Sequence, residues 1–277
     1  MIISASRRED IPAKRMDWFM EMLGEGRVLV PNPYDASKPR LVSLVPESVD
    51  CIVFWTRNAQ PLLGRSKELE LRGYSFFVQA TITGYPKELE PGVPPKSEAV
   101  RALKLLSEAI GADRIVWRYD PLILAAAASG LGLDEGFHLR NFAALARELS
   151  GCARRLVFSA LDDYRNTRKR LENSGYEACP SAPRGTMHPR YAALIKELAV
   201  IARAEGFEPQ TCAEPPLGTE IIQGACVDGP LLGRLFGFSP EKKALRPGRP
   251  GCKCSPSVDI GRYGACAAGC VYCYARR

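Results

Sequence analysis

The sequence predicts an α/β protein, a partial or complete (β/α) barrel of about six units with a cysteine-rich segment folded over the barrel mouth. Three observations lead there. Six short apolar runs rich in β-branched and aromatic residues alternate with stretches of helical periodicity. A chain of 277 residues suits a single barrel of this kind. No Gly-x-Gly-x-x-Gly fingerprint follows the first strand, which disfavours a doubly wound nucleotide-binding sheet. Strand followed by helix, repeated, implies parallel strands joined by right-handed crossovers.

In chain order, the expected strands are residues 2–6, 51–56, 75–83, 114–119, 155–160 and 208–212. The expected helices are residues 12–24, 61–72, 97–110, 136–149 and 189–206. Pro12 and Pro189 stand near helix starts, where a missing N–H costs nothing, and Gly206 follows the last apolar turn before the sixth strand. After Cys212 the texture changes. Residues 213–256 are rich in Pro and Gly, with one helix around residues 230–236 and a basic stretch from Lys242 to Arg249. The boundary therefore falls between a barrel-like domain, 1–212, and a cysteine-rich segment, 213–277. A long irregular segment in a compact protein needs something to tie it down, and metal ligation would supply that.

Composition narrows the function. Hydrophobic residues at 46% and charged residues at 25% exclude disordered and fibrous classes. Lys+Arg minus Asp+Glu is 38 − 31 = +7, which suits an anionic partner without identifying one. The longest apolar runs fall far short of the ~20 residues that cross a bilayer, and Met1-Ile2-Ile3-Ser4 is not followed by a signal-peptide pattern, so a cytoplasmic protein with no membrane partner is expected. With only His138 and His188, sites built on several imidazoles are excluded. Both histidines are expected at the surface or at helix caps. Cys51, Cys152 and Cys179 are scattered, whereas seven of the ten cysteines crowd the last 66 residues. In a reducing compartment such density points to metal or redox chemistry rather than to disulfides.

The sharpest motif is Cys266-x3-Cys270-x2-Cys273, with Tyr272 immediately before its third cysteine. Three thiolates at this spacing can ligate three irons of a cubane, and Ala267, Ala268 and Gly269 let the backbone curl closely around it. The fourth iron is left open for a substrate or cofactor. A zinc site with a fourth ligand from elsewhere, and unligated structural cysteines, are the alternatives. Cys212, Cys226, Cys252 and Cys254 form a candidate second cluster, against the blander alternative that Cys212 and Cys226 are small buried apolar residues.

Polar residues gather where the strands end: Arg7, Arg8 and Asp10; Thr56, Arg57 and Asn58; Thr83 and Tyr85; Arg118, Tyr119 and Asp120; Asp162, Asp163 and Tyr164; and Glu214. In barrels that end carries the chemistry. Arg7, Arg118 and Asp120 are the candidate catalytic residues, and Arg8, Thr83 and Tyr85 are candidates for cofactor binding. Arg118 stands out because a guanidinium inside an apolar strand requires a carboxylate or phosphate partner. Asp120-Pro121 can equally start a turn, and Gly84 can supply a positive φ. Trp55 and Trp117 are expected as core or site walls, and Arg165, Arg168, Lys169 and Arg170 as a solvated face.

The triplet with its aromatic resembles the motif of the radical S-adenosylmethionine superfamily, and Gly269-Cys270-Val271-Tyr272-Cys273-Tyr274-Ala275-Arg276 is similar to the branch of spore photoproduct lyase. The whole chain resembles a domain-of-unknown-function family, number eighteen forty-eight. That likeness rests on residues 4–12, on Val53 to Asn58, on Thr81 to Tyr85, on Trp117 to Pro121, and on Cys252-Lys253-Cys254 through Asp259 and Tyr263 to Cys266. The superfamily resemblance implies a [4Fe–4S] cluster on Cys266, Cys270 and Cys273 that chelates S-adenosylmethionine, with Tyr272 beside the adenine. It further implies an unidentified small-molecule substrate and an electron donor such as a flavodoxin or ferredoxin. The spore photoproduct lyase likeness also allows a nucleic-acid partner, although no nucleic-acid-binding module is recognisable. The superfamily motif ordinarily follows the first strand, whereas here it lies within the last twelve residues, so either the strand order is permuted or a tail crosses the barrel mouth. No Gly-Gly-Glu follows a second strand. The expected function is a radical S-adenosylmethionine-type enzyme. The alternatives are an electron-transfer or redox-sensing iron–sulfur protein and a zinc-stabilised domain that binds a ligand or partner.

Overall fold

Strand β1 (Ile2–Ala5) opens the chain and sits inside the sheet, in a computed structural model that describes every residue except 33, 34, 36, 131, 163, 181, 183–185, 241–250 and 277. The basic stretch from Lys242 to Arg249 and Asp163 lie outside the described residues. After β1 come α1 (Ile11–Glu25) and an antiparallel hairpin of β2 (Arg27–Val30) and β3 (Arg40–Ser43). Strand β4 (Cys51–Thr56) leads through α2 (Gln60–Leu63) and α3 (Ser66–Leu71) to β5 (Phe76–Thr81), α4 (Lys96–Ile110) and β6 (Ile115–Leu122). The short β7 (Ala125–Ala127) precedes α5 (Glu135–Leu149), β8 (Arg155–Ala160), α6 (Arg165–Asn173) and β9 (Tyr176–Ala178), which pairs back onto β7. The chain continues through α7 (Pro189–Ala204), β10 (Glu208–Cys212), β11 (Ile222–Gly224), α8 (Gly229–Phe236) and β12 (Val258–Asp259).

Eight of these strands form one parallel sheet in the order β11-β10-β8-β6-β5-β4-β1-β12. Among the described residues the sheet ends on β11 and β12 and does not close, so of the two sequence expectations the complete barrel is not shown. All six expected strands are present. Strand β6 runs on through Asp120 and Pro121 with a register shift between Tyr119 and Leu122, which replaces the expected turn; Pro121 has no N–H for the ladder, and the chain bulges there. The expected helix at 61–72 is two helices divided at Gly64 and Arg65, since glycine is costly in a helix interior.

Side chains alternate across the sheet, and its two faces differ. Ile3, Ile52, Phe54, Phe76, Val78, Trp117, Tyr119, Leu156 and Phe158 point to the face covered by α1, α4, α5 and α7, where Trp117 stacks on Phe142 with ring centroids 5.1 Å apart. On the other face Ile2, Val53, Phe77, Val116 and Val157 pack on Leu231 and Leu232 of α8. The polar residues Ser4, Gln79, Arg118 and Ser159 occupy neighbouring buried positions. Among the described residues, no buried side-chain nitrogen or oxygen lacks a hydrogen-bond partner. No helix among them is long and apolar enough to cross a membrane.

His138 departs from expectation. It lies on α5 but is fully buried, with its imidazole held between the Tyr119 hydroxyl at 3.0 Å and the Ile123 carbonyl at 2.9 Å. Burial lowers its pKa below 6.5. His188 caps α7, accepting from the Arg190 N–H at 3.3 Å.

Candidate functional site

The Cys266–Cys273 loop follows β12, which pairs in parallel with β1, placing Ile3 opposite Val258 and Ser4 opposite Asp259. The Asp259 carboxylate secures this edge by accepting from Ser4 Oγ at 2.7 Å, Ser6 Oγ at 2.8 Å and the Arg7 N–H at 2.9 Å. The loop is then seated on the 86–93 segment after β5. Gly92 donates its N–H to the Ala268 carbonyl at 2.8 Å, and Val271 donates to the Leu89 carbonyl at 2.9 Å. A Cβ on Gly92 would lie 2.6 Å from that Ala268 oxygen, so glycine is required for the approach. Gly269 turns the loop at φ +67°. Arg170 of α6 donates to the carbonyls of Val271 at 2.8 Å and Cys273 at 2.6 Å, which removes it from the expected solvated face.

Beneath the loop lies a buried charged cluster. Arg57, just past β4, donates to Glu90 Oε1 at 2.7 Å and to Thr83 Oγ1 at 3.2 Å. The Tyr272 hydroxyl donates to the same Glu90 oxygen, and the Arg57 guanidinium stands 5.4 Å from the Tyr272 ring centre. Tyr85 meets Tyr272 edge to face at 5.9 Å. Burial works against the Arg57 charge, but Tyr272, Glu90 and Cys270 outweigh it and hold its pKa well above the ordinary value. Burial pushes the Cys270 thiol up to about 11, with Arg57 opposing. Cys266 is likewise raised by burial. A cavity of about 310 Å³ opens beside this cluster, lined by Thr83, Gly84, Tyr85, Lys87, Glu90 and Lys96.

The four cysteines of the candidate second cluster lie on the α8 side of the sheet. Cys212 ends β10, Cys226 follows β11, and Cys252 and Cys254 precede β12. Cys212 Sγ lies 2.8 Å from Cys226 Sγ; the Cys226 thiol also faces Cys254, and Cys254 faces Cys252. The Val227 N–H donates to Cys254 Sγ at 3.4 Å. Arg118 Nη1 donates to Cys226 Sγ at 3.1 Å and to Gln79 Oε1 at 3.3 Å, while its Nε donates to Asp120 at 3.1 Å. Hydrogen bonds from Cys212 and Cys254, aided by Arg118, hold the Cys226 pKa well below that of a free thiol. A hydrogen bond from Cys254, with help from Arg7, lowers Cys252 to about 6. Among the described residues, no three His, Cys, Asp or Glu side chains stand in the arrangement that holds a single metal ion.

The candidate residues thus divide. Thr83, Tyr85 and Tyr272 converge under the triplet, where Tyr272 is only 5% exposed. Arg118 and Asp120 lie beside the second group, and Asp120 is the carboxylate that the buried guanidinium required; its other oxygen accepts from Ser159. Arg7 bonds Ser257 Oγ at 2.6 Å and lies over Trp55, and Arg8 lies over Tyr263 with a bond to the Gly261 carbonyl. Arg57 joins the halves by donating to the Asp120 carbonyl at 3.4 Å. Sequence reasoning missed Glu90, which sits in a Pro- and Gly-rich loop without periodicity, and Glu9, which accepts from Arg15 at 3.0 Å. The one available signal for Glu90 was its place in the loop beyond a strand end.

No curated protein and no solved structure matches this chain. The family described as Domain of unknown function (DUF1848) matches residues 2–275, nearly the whole length. The chain belongs to that family.

Proposed function

We propose that this chain is an iron–sulfur enzyme of the radical S-adenosylmethionine type, built on a partial (β/α) barrel, with Cys266, Cys270 and Cys273 as the cluster ligands. One observation carries the reading. Counted in space from β12, the triplet follows the edge strand of a parallel sheet, which is the place a permuted strand order would give the motif and supports the reading. The donor set fits the group: three thiols on one loop, small residues between the first two, and a tight turn at Gly269.

When bound and reduced, such a cluster with S-adenosylmethionine supplies one-electron cleavage of the sulfonium, chemistry that belongs to the cofactor. The protein's own residues hold and shield. Arg170 and the 86–93 segment fix the loop backbone, and the Glu90–Arg57–Tyr272 cluster closes its inner side against water. The adjoining cavity would receive cofactor and substrate against Thr83 and Tyr85, with Lys87 and Lys96 suited to a carboxylate.

The test uses protein purified without oxygen. About four irons and four sulfides bound through the triplet are expected. The paramagnetic resonance spectrum of the reduced protein should change when S-adenosylmethionine is added, and methionine with 5′-deoxyadenosine should form. Iron-free protein carrying zinc would overturn the proposal. An unchanged spectrum without cleavage would replace it with a sealed electron-transfer cluster.

A further inference from the structure

We infer that Cys212, Cys226, Cys252 and Cys254 form a second metal centre, ligated by four thiolates and independent of the Cys266–Cys273 loop. The four sulfurs come from three separate stretches of chain: the end of β10, the turn after β11, and the Cys-x-Cys before β12. They meet at one place: Cys212 Sγ lies 2.8 Å from Cys226 Sγ, and the N–H of Val227, next to Cys226, donates to Cys254 Sγ at 3.4 Å, with Cys252 two residues before it. Four thiolates complete the ligand set of a tetrahedral ion or of a cluster with no open corner. Among the described residues no three of the groups stand as they would around a single ion, so binding would have to spread the Cys212–Cys226 pair, whose sulfurs are 2.8 Å apart.

Two features separate this site from ordinary buried cysteines. The Arg118 guanidinium, itself buried, donates to Cys226 Sγ at 3.1 Å, and a charged donor aimed at sulfur matches a thiolate and not an apolar filler. The described residues of the intervening chain also carry little regular structure. Between Cys212 and Cys254 the described elements are the three-residue β11 and the eight-residue α8, yet α8 places Leu231 and Leu232 in the core. A thiolate centre would anchor both ends of that segment to the sheet.

The experiment reconstitutes the full chain with ferrous iron and sulfide under anaerobic conditions and counts metal in the wild type, Cys252→Ser and Cys270→Ala. Wild type should bind about eight irons, and each variant about four, with the loss in Cys252→Ser independent of the loss in Cys270→Ala. As isolated, about one zinc that disappears in Cys252→Ser and persists in Cys270→Ala supports the same centre as a single ion. Equal metal in Cys252→Ser and wild type overturns the inference, as does a Cys212–Cys226 disulfide in anaerobic peptide maps. A measurement on the unmutated chain guards against misfolding. Cys179, Cys212 and Cys252 are all half-buried, so alkylation should reach Cys179 while sparing the other two until a chelator strips the metal. Equal labelling of all three before chelation also overturns it. Failure here leaves the triplet proposal standing, because that proposal is read from Cys270→Ala.

Discussion

The triplet loop and the dispersed quartet of cysteines reach the same sheet by different routes. Cys266, Cys270 and Cys273 are set by one short loop whose backbone bonds the 86–93 segment through Gly92 and Val271. Cys212, Cys226, Cys252 and Cys254 are brought together by side chains and by the pairing of β10, β11 and β12 with the rest of the sheet. The first arrangement is encoded in local spacing, although its seat on the 86–93 segment and on Arg170 is long-range. The second exists only when the sheet is assembled, and its buried Arg118 ties it to core stability.

Four substitutions or conditions test that contrast. Cys270→Ala should abolish S-adenosylmethionine cleavage and remove the triplet's iron, while the metal held by the quartet is unchanged; parallel loss of both in metal analysis would merge the two sites. Arg118→Met should lower folding stability by about 3–5 kcal/mol in denaturant titrations, because Asp120 is left without its buried partner. Its metal loss should fall on the quartet alone. Gly92→Ala should cost about 1–3 kcal/mol by forcing the Ala267 and Ala268 carbonyls away, with weakened iron binding confined to the triplet. Acid should act on the triplet's side of the sheet. His138, edge to face with Tyr85, has its folded-state pKa lowered by burial, so the unfolded chain binds more protons just below pH 6.5. Stability present above pH 6.5 should therefore fall as pH drops towards the folded-state pKa. Replacing His138 with Gln should flatten that dependence in pH-resolved melting curves.

Much of the fold was legible because apolar runs and breakers agree. The bounds of β4, β8 and β10 match the sequence expectation, and β1, β5 and β6 differ only at their ends. The two-residue β12 has no periodicity to read. Its position depends on Asp259 reaching Ser4 and Ser6, nearly the whole chain away. His138 carried a usable signal that was overlooked, since positions 138, 142, 145 and 149 recur at helical spacing and the last three are Phe142, Leu145 and Leu149. Arg118's need for a carboxylate could be stated from its strand, but the thiol that shares it could not, because Cys226 lies more than a hundred residues away.

The parallel pairing of β12 with β1 has a consequence for biosynthesis. During translation the β1 flank stays open until Val258 and Asp259 emerge, so the enclosure around the triplet is among the last parts of the molecule to assemble. A metal taken up through that loop would therefore meet a sheet whose other strands had already been synthesised.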